Sequence, residues 1–364
     1  MPTRPLRFIA QAGFDAARQL HALPSSHRAS RPHGHGFVVQ VRSALDAAPS
    51  PFAGGEVGWL QHALAQVVAP LDHSLLNEQV EEPSDERLAR WIGARLGVPG
   101  AAVSVQSHPA SGVDIDEAGA AWAWRRYRFQ SAHRLPNVPL GHKCGRMHGH
   151  GFEAVVHVRV GEGQPSHLTT DWLDDLWAPL HFELNYACLN ELPGLENPTS
   201  EMLSRWLWQR LSAGAGARLR AVKVYETASC GALYDGATHR IWKDFHLDSA
   251  VRLRHAPAGH PEARLHGHTY TLRLHLSAAL DELRGWAVDF GDVKELFKPV
   301  FKALDHHALH DVPGLPDGDC ASVAQWVLSQ ARERLPQVCR VDLFETEGCG
   351  AVAWASGSPE PMWA

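Results

Sequence analysis

Two periodicities of apolar residues alternate along the chain and return in the same order three times. In FEAVVHVRV (152–160) apolar and polar positions alternate among β-branched side chains, which predicts a strand. PTSEMLSRWLWQRL (198–211) has apolar residues at helical spacing behind the cap signal Pro198-Thr199-Ser200-Glu201, which predicts a helix. LRAVKVYET (219–227) goes back to strand spacing. Each turn of the pattern reads strand, strand, helix, helix, strand, strand, so the expected class is α+β.

Fixed landmarks keep step with it. The triplet His-Gly-His begins at 33, 148 and 266, behind the related stretches FDAARQL (from Phe14), FQSAHRL (from Phe129) and LDSAVRL (from Leu247). Downstream lie Leu71-Asp72-His73, Leu184-Asn185-Tyr186 and Leu304-Asp305-His306, then Trp91, Trp206 and Trp326, and finally Gly112, Gly231 and Gly350. The boundaries this suggests are units 1–118, 119–238 and 239–364, with short linkers in DIDEAGAAW and DGATH. An open antiparallel sheet leaves edges to be covered or closed, and three equal units in one chain predict closure into a single ring.

Composition adds little except histidine. The chain of 364 residues is 45% hydrophobic and 20% charged with a formal charge of −6, an ordinary globular balance without the basic footprint of nucleic-acid or anionic-membrane binding. No run approaches transmembrane length and the start of the sequence lacks a signal-peptide core, so a cytoplasmic location is expected. The six cysteines form no CxxC pair, which suits a reducing compartment, and Cys188, Cys230, Cys320, Cys339 and Cys349 are expected to be buried structural thiols. Twenty-four histidines are the one oddity.

Residues i and i+2 of a strand share a face, so His148 and His150 can reach one ion, with Gly149 allowing close approach. His133 supplies a third imidazole if its strand pairs with theirs. Three neutral histidines with an open fourth position form the donor set of a catalytic zinc. An isolated HGH in a histidine-rich chain is more often two surface imidazoles; the joint spacing of three histidines with Cys144 is what favours a site here. The outer units fail that test. His133 is matched by Arg18 and Val251, and Cys144 by Ala29 and Glu262, so the outer HGH pairs are read as remnants.

FQSAHRLPNVPLGHKCGRMHGHGF (129–152), LNELPGLENPTSE (189–201) and VYETASCGALYDG (224–236) together resemble the 6-pyruvoyl-tetrahydropterin synthase family, and within it the queuosine-pathway branch of 6-carboxytetrahydropterin synthases, whose cysteine stands in the form C-x3-HGH. The third unit resembles the family through WAVDFGDVKELFKPVFKALDHHALHDVPGL (286–315) and LFETEGCG (343–350), and the first mainly through HGHGF and LDH. The resemblance implies the tunnelling fold: three sheet-plus-two-helix units closing a barrel of about twelve strands, helices outside. Family rings stack in pairs, which implies a homodimer of single-chain rings. It further implies Zn2+ on His133, His148 and His150, and a pterin substrate, 7,8-dihydroneopterin triphosphate, converted to 6-carboxytetrahydropterin with loss of acetaldehyde and triphosphate. Cys144 would be the base, its thiolate favoured by zinc, Lys143 and Arg146. Because the middle unit has Asn185 and Tyr186 at that place, an Asp–His pair from a neighbouring unit would assist, with Asp305 and His306 preferred over Asp72 and His73 because the third unit keeps LDHH in a longer family-like context and retains Glu345, whereas the first has Ser107 and the departing run EQVEEP. Glu226, Glu345 and Thr199 would bind the pterin, while the first unit has Ser107 at the glutamate position. Alternatives are a 6-pyruvoyl-tetrahydropterin synthase, an aldolase acting on dihydroneopterin, or a ring that binds pterin or zinc without catalysis.

Overall fold

The computed structural model describes residues 6–45, 50–161 and 163–355. The first unit contributes β1 (Leu6–Arg18), β2 (His33–Ser43), α1 (Glu56–Val68), the two-residue β3 (Ser74–Leu75), α2 (Asp85–Leu96), β4 (Ala102–His108) and β5 (Ser111–Ile115). The second repeats the order with β6 (Ala121–His133), β7 (His148–Arg159), α3 (Ser166–Leu184), the short β8 (Ala187–Cys188), α4 (Ser200–Ala215), β9 (Leu219–Thr227) and β10 (Cys230–Tyr234). The third has β11 (His239–Val251), β12 (His266–Ser277), α5 (Phe290–Leu304), α6 (Cys320–Arg334), β13 (Val338–Thr346) and β14 (Cys349–Trp354). The expected strand–strand–helix–helix–strand–strand order holds in all three.

The twelve long strands form one antiparallel barrel, closed where β1 pairs with β14 from Leu6↔Ala353 to Ile9↔Gly350. The short strands β3 and β8 add on in parallel to β1 and β6. Six helices cover the outside, and their facing side of the sheet is apolar. On β7, Phe152, Ala154, Val156 and Val158 are buried in the core shared with Trp177, Leu203 and Leu207, while Glu153 and His157 alternate onto the other face. That inner face carries polar and charged groups held in pairs, such as Arg340 and Asp342 at 2.7 Å with His275 at 3.1 Å from the same carboxylate. No helix among the described residues is long and apolar enough to cross a membrane.

Local signals set the helix starts. Thr199 caps α4 by accepting from the Met202 N–H at 3.1 Å, Ser84 caps α2 and Asp319 caps α6 in the same way. Because β1, β6 and β11 run in one direction around the barrel, the hairpins that open each HGH segment gather at one rim.

Candidate active site

The register of β6 and β7 assembles the histidines. His133 lies opposite His148 and Ser131 opposite His150, on the face that continues into Phe129 and Phe152. Ring centroids are 4.5 Å apart for His133–His148, 5.2 Å for His133–His150 and 5.0 Å for His148–His150. A Cβ on Gly149 would sit 3.2 Å from the Ser131 carbonyl, so the small residue lets the two strands approach.

The tautomers follow from the partners. His133 Nδ1 lies 3.0 Å from the Pro198 carbonyl and His148 Nδ1 2.8 Å from that of Arg146. A carbonyl only accepts, so each Nδ1 carries the proton and each Nε2 presents a lone pair. The Nε2 atoms of His133 and His150 are shielded from solvent and have no hydrogen-bond partner. Burial lowers the pKa of both rings, keeping them neutral as ligation requires. From β9, Glu226 brings Oε1 to 3.6 Å from His150 Nε2, while Ser200 donates to its Oε2 at 2.6 Å. One donor atom from each of His133, His148, His150 and Glu226 falls within 4.8 Å of all the others. Orphaned imidazole nitrogens beside a carboxylate are costly when left alone and fit a divalent cation.

Cys144 stands in the short turn Lys143–Gly145, a free and half-buried thiol whose backbone N–H is held by His142 Nδ1 at 3.2 Å. Sequence reasoning expected Lys143 and Arg146 to help lower its pKa. The protein alone raises it, through burial first and the Glu226 carboxylate second, with Lys143 opposing.

The third unit covers this site with residues 281–289. Asn137 and Asn197 each donate from Nδ2 at 2.6 Å to the carbonyls of Leu283 and Arg284, and Thr199 Oγ1 donates to Gly285 O. Thr199, expected to touch substrate, is thus engaged twice, as helix cap and as inter-unit donor. Gly285 has φ +75°, and a Cβ there would meet Asn197 at 2.6 Å, so this strap needs glycine on both counts. His142 Nε2 lies 3.6 Å from Asp289.

Glu201 was missed. Read only as part of a cap signal, it is 2% exposed and accepts from the Ala287 N–H at 3.0 Å. Burial pushes its carboxyl up to about 7, helped by the charges of Glu226 and Asp289. An acid at the second position of a helix is ordinary in sequence, and only the neighbouring unit makes this one special.

Asp305 and His306 occupy the end of α5. Asp305 accepts from the Asp248 N–H at 3.0 Å and holds His306 Nδ1 at 2.9 Å, while the imidazole is 76% exposed. Asp72–His73 repeats the arrangement on Asp15, and Asn185–Tyr186 on Gln130. His73, Tyr186 and His306 share a left-handed backbone with φ of 52°, 61° and 58°. Asp289, which reaches the middle site, is separated from Asp305 by the whole of α5, about 22 Å. Within one ring the third unit therefore meets the middle site through 281–289, with Asp289 beside His142 next to Cys144, and the described contacts do not bring either Asp–His pair to it.

The outer units differ as the sequence suggested. Arg18, 0% exposed, fills the place of His133 and donates to Pro83 O, Asp85, and Ser107 Oγ. In the third unit buried Val251 takes that place, and Glu345 is bonded by the Cys320 thiol at 3.2 Å. Cys230, Cys320, Cys339 and Cys349 are buried as expected; Cys188 is half-buried because β8 lies at the rim.

The profile of the 6-pyruvoyl tetrahydropterin synthase family matches the chain three times, over residues 9–126, 122–237 and 240–356. A 6-carboxy-5,6,7,8-tetrahydropterin synthase of Synechocystis sp. is 31% identical over 121 residues, covering 30% of this chain and 90% of that protein. A dihydroneopterin monophosphate aldolase of Pyrococcus furiosus is 30% identical over 84 residues, covering 22% and 70%. Among solved structures, the Caenorhabditis elegans 6-pyruvoyl tetrahydropterin synthase covers 32% of this chain and 95% of its own, at 19% identity and a TM-score of 0.29.

Proposed function

Because the chain belongs to the 6-pyruvoyl tetrahydropterin synthase family, we propose that its middle unit, residues 119–238, is a zinc-dependent lyase that converts 7,8-dihydroneopterin triphosphate to 6-carboxytetrahydropterin. The observation that carries this reading is the convergence of His133, His148, His150 and Glu226 donor atoms within 4.8 Å in the one unit that also has Cys144. The cysteine spacing and the name of the Synechocystis relative favour the carboxylated product over a pyruvoyl one.

Zinc bound by the three imidazoles would act as a Lewis acid toward the substrate's side-chain oxygens. Glu226, its Oε2 fixed by Ser200, offers Oε1 to the N–H donors of the pterin. Cys144 takes the carbon proton. Its thiol starts protonated in the protein alone, so the thiolate depends on the cation and on Lys143. The strap 281–289 excludes water from one side of the pocket.

Asp305–His306 completes the chemistry across two rings. The pair faces solvent at the rim that also carries the HGH hairpins, together with exposed Tyr186 and Leu75, and a homodimer stacked on that rim brings it to a Cys144 that its own ring does not reach. All six cysteines are free, which supports the cytoplasm as the place of work.

The test is to incubate the zinc-loaded protein with dihydroneopterin triphosphate and assay acetaldehyde and the carboxylated pterin. A pyruvoyl product, or cleavage of unphosphorylated dihydroneopterin alone, would move the assignment to another member of the family. Binding without turnover would make the ring a pterin binder.

A further inference from the structure

Cys144 is tied down on both sides of its backbone. Its N–H donates to His142 Nδ1 at 3.2 Å, and its carbonyl accepts from the Leu135 N–H at 2.8 Å, two residues beyond His133. The first tie is a side-chain cap on the turn Lys143–Gly145, and it recurs in the other units: His27 Nδ1 accepts from the Ala29 N–H at 3.0 Å and His260 Nδ1 from that of Glu262 at 3.3 Å. A backbone N–H only donates, so Nδ1 of each ring carries the lone pair and Nε2 the proton.

What lies beside the imidazole differs from seam to seam. His27 Nε2 meets Asp171 of the second unit at 2.7 Å. His142 Nε2 meets Asp289 of the third at 3.6 Å, and His260 packs on Phe52 of the first with ring centroids 5.0 Å apart. Asp289 is itself fixed. Its Oδ1 caps α5 by accepting from the N–H groups of Gly291 at 2.6 Å and Asp292 at 3.3 Å, which leaves Oδ2 toward the imidazole. At 3.6 Å the carboxylate acts on the ring through its charge rather than through a hydrogen bond. A negative charge beside Nε2 favours the proton there and keeps Nδ1 open to accept from Cys144. At the first seam the same arrangement holds a turn that carries Ala29. Among the described residues, the cap, the neighbouring unit's acid and a thiol at the turn come together in the middle unit alone.

We propose that His142 and Asp289 are positioning residues for Cys144: the acid of the third unit fixes the imidazole, and the imidazole fixes the backbone of the thiol, so that closure of the ring places the base. Both act through Cys144 rather than on the substrate. The inference rests on the proposed role of Cys144 and gives that residue a support within its own ring.

A double-mutant cycle on the full zinc-loaded chain tests it, read by turnover of dihydroneopterin triphosphate and by amide hydrogen exchange at Cys144. His142→Ala should lower kcat by about 100-fold, the cost of a small misplacement of a reacting group, with KM and zinc content unchanged. His142→Asn, whose carboxamide oxygen caps the same N–H, should recover most of that loss. Asp289→Asn keeps the cap on α5 and removes the charge, so kcat should fall less, about tenfold. In the His142→Asn background Asp289→Asn should cost nothing further. Exchange at the Cys144 amide should follow the same pattern, faster in His142→Ala and in Asp289→Asn alone. If His142→Ala fails to fold, the two asparagine variants carry the cycle. Additive losses, or full kcat in Asp289→Asn, would overturn the link from Asp289 through His142. Loss of zinc or a raised KM in place of the loss in kcat would reduce the pair to a structural contact and overturn it as well. A wild type without turnover would count against the proposed function, and amide exchange would still decide the positioning, upheld by the non-additive pattern and overturned by an additive one.

Discussion

The guanidinium of Arg18 and the imidazole of His133 each donate a 3.0 Å hydrogen bond to the carbonyl of the proline preceding a helix cap, Pro83 in the first unit and Pro198 in the second. The rest of the guanidinium then takes the place that the proposed ion would take in the second unit: it sits among Asp85 at 2.6 Å, Ser107 at 3.0 Å and the neighbouring unit's His167 at 3.2 Å. The first unit carries a covalently attached cation where the second collects lone pairs.

Removing that cation strands a buried carboxylate. Arg18→Leu should lower stability by about 3–5 kcal/mol in urea unfolding, and Arg18→Leu with Asp85→Leu should recover much of the loss. Burial works to raise the Asp85 carboxyl, but Arg18, His167 and Ser107 together leave it below its ordinary 3.8. Its contribution is therefore present above that pH and lost as the pH falls below it. A double variant no better than the single one would refute the account.

Metal analysis should give about one zinc per chain, lost in His148→Ala and unaffected by His33→Ala or His266→Ala, because among the described residues three imidazoles converge in the middle unit alone. Three tightly held ions per chain would contradict the division of labour among the units.

Cys144→Ala should abolish turnover and leave zinc content and pterin affinity largely intact, since a lost base weakens the transition state more than the ground state. Steady-state kinetics beside equilibrium binding separates the two effects.

If Asp305–His306 acts across stacked rings, Cys144→Ala and His306→Ala chains are each inactive but complement one another. After dissociation and remixing, about a quarter of wild-type activity should return, because half the dimers are mixed and half the sites in each are complete. Failure to complement, with His306→Ala inactive on its own, would put the pair in the same ring as the thiol it serves. His73→Ala should be near neutral.

Glu201 gives a pH signature. Pushed up to about 7 by burial, it keeps its proton in the folded chain between its ordinary 4.5 and that value, where the unfolded chain has released it. Stability should therefore fall as pH rises through this window and level off above it. Thermal melts at about pH 5 and about pH 8 should show the fall in the wild type and a smaller one in Glu201→Gln, whose amide oxygen still accepts from Ala287.

The strands were legible because one face of each packs on helices and the other does not, so Phe152, Ala154, Val156 and Val158 alternate with different neighbours. The third imidazole of the cluster was legible because strand pairing has a fixed register once a hairpin is assumed, and His133 then falls opposite His148. Contacts made by closing the ring left no such trace. Thr199 and Glu201 read as a cap, and their partners Gly285 and Ala287 lie 86 residues downstream in another unit. The separation of Asp305 from Asp289 by the length of α5 is likewise set by helix placement, which no local period encodes.

The seam at which Leu6 meets Ala353 and Ile9 meets Gly350 closes the barrel inside one polypeptide. A ring of three identical subunits would carry every substitution at three places at once, so no position could change its chemistry in one sector alone. Here an inherited change at residue 18 leaves 133 and 251 untouched, and the wall that covers Cys144 cannot be diluted away from it. The covalent ring thus permits a sector to carry a guanidinium where its neighbour keeps an imidazole, or a carboxylate where its neighbour keeps a thiol.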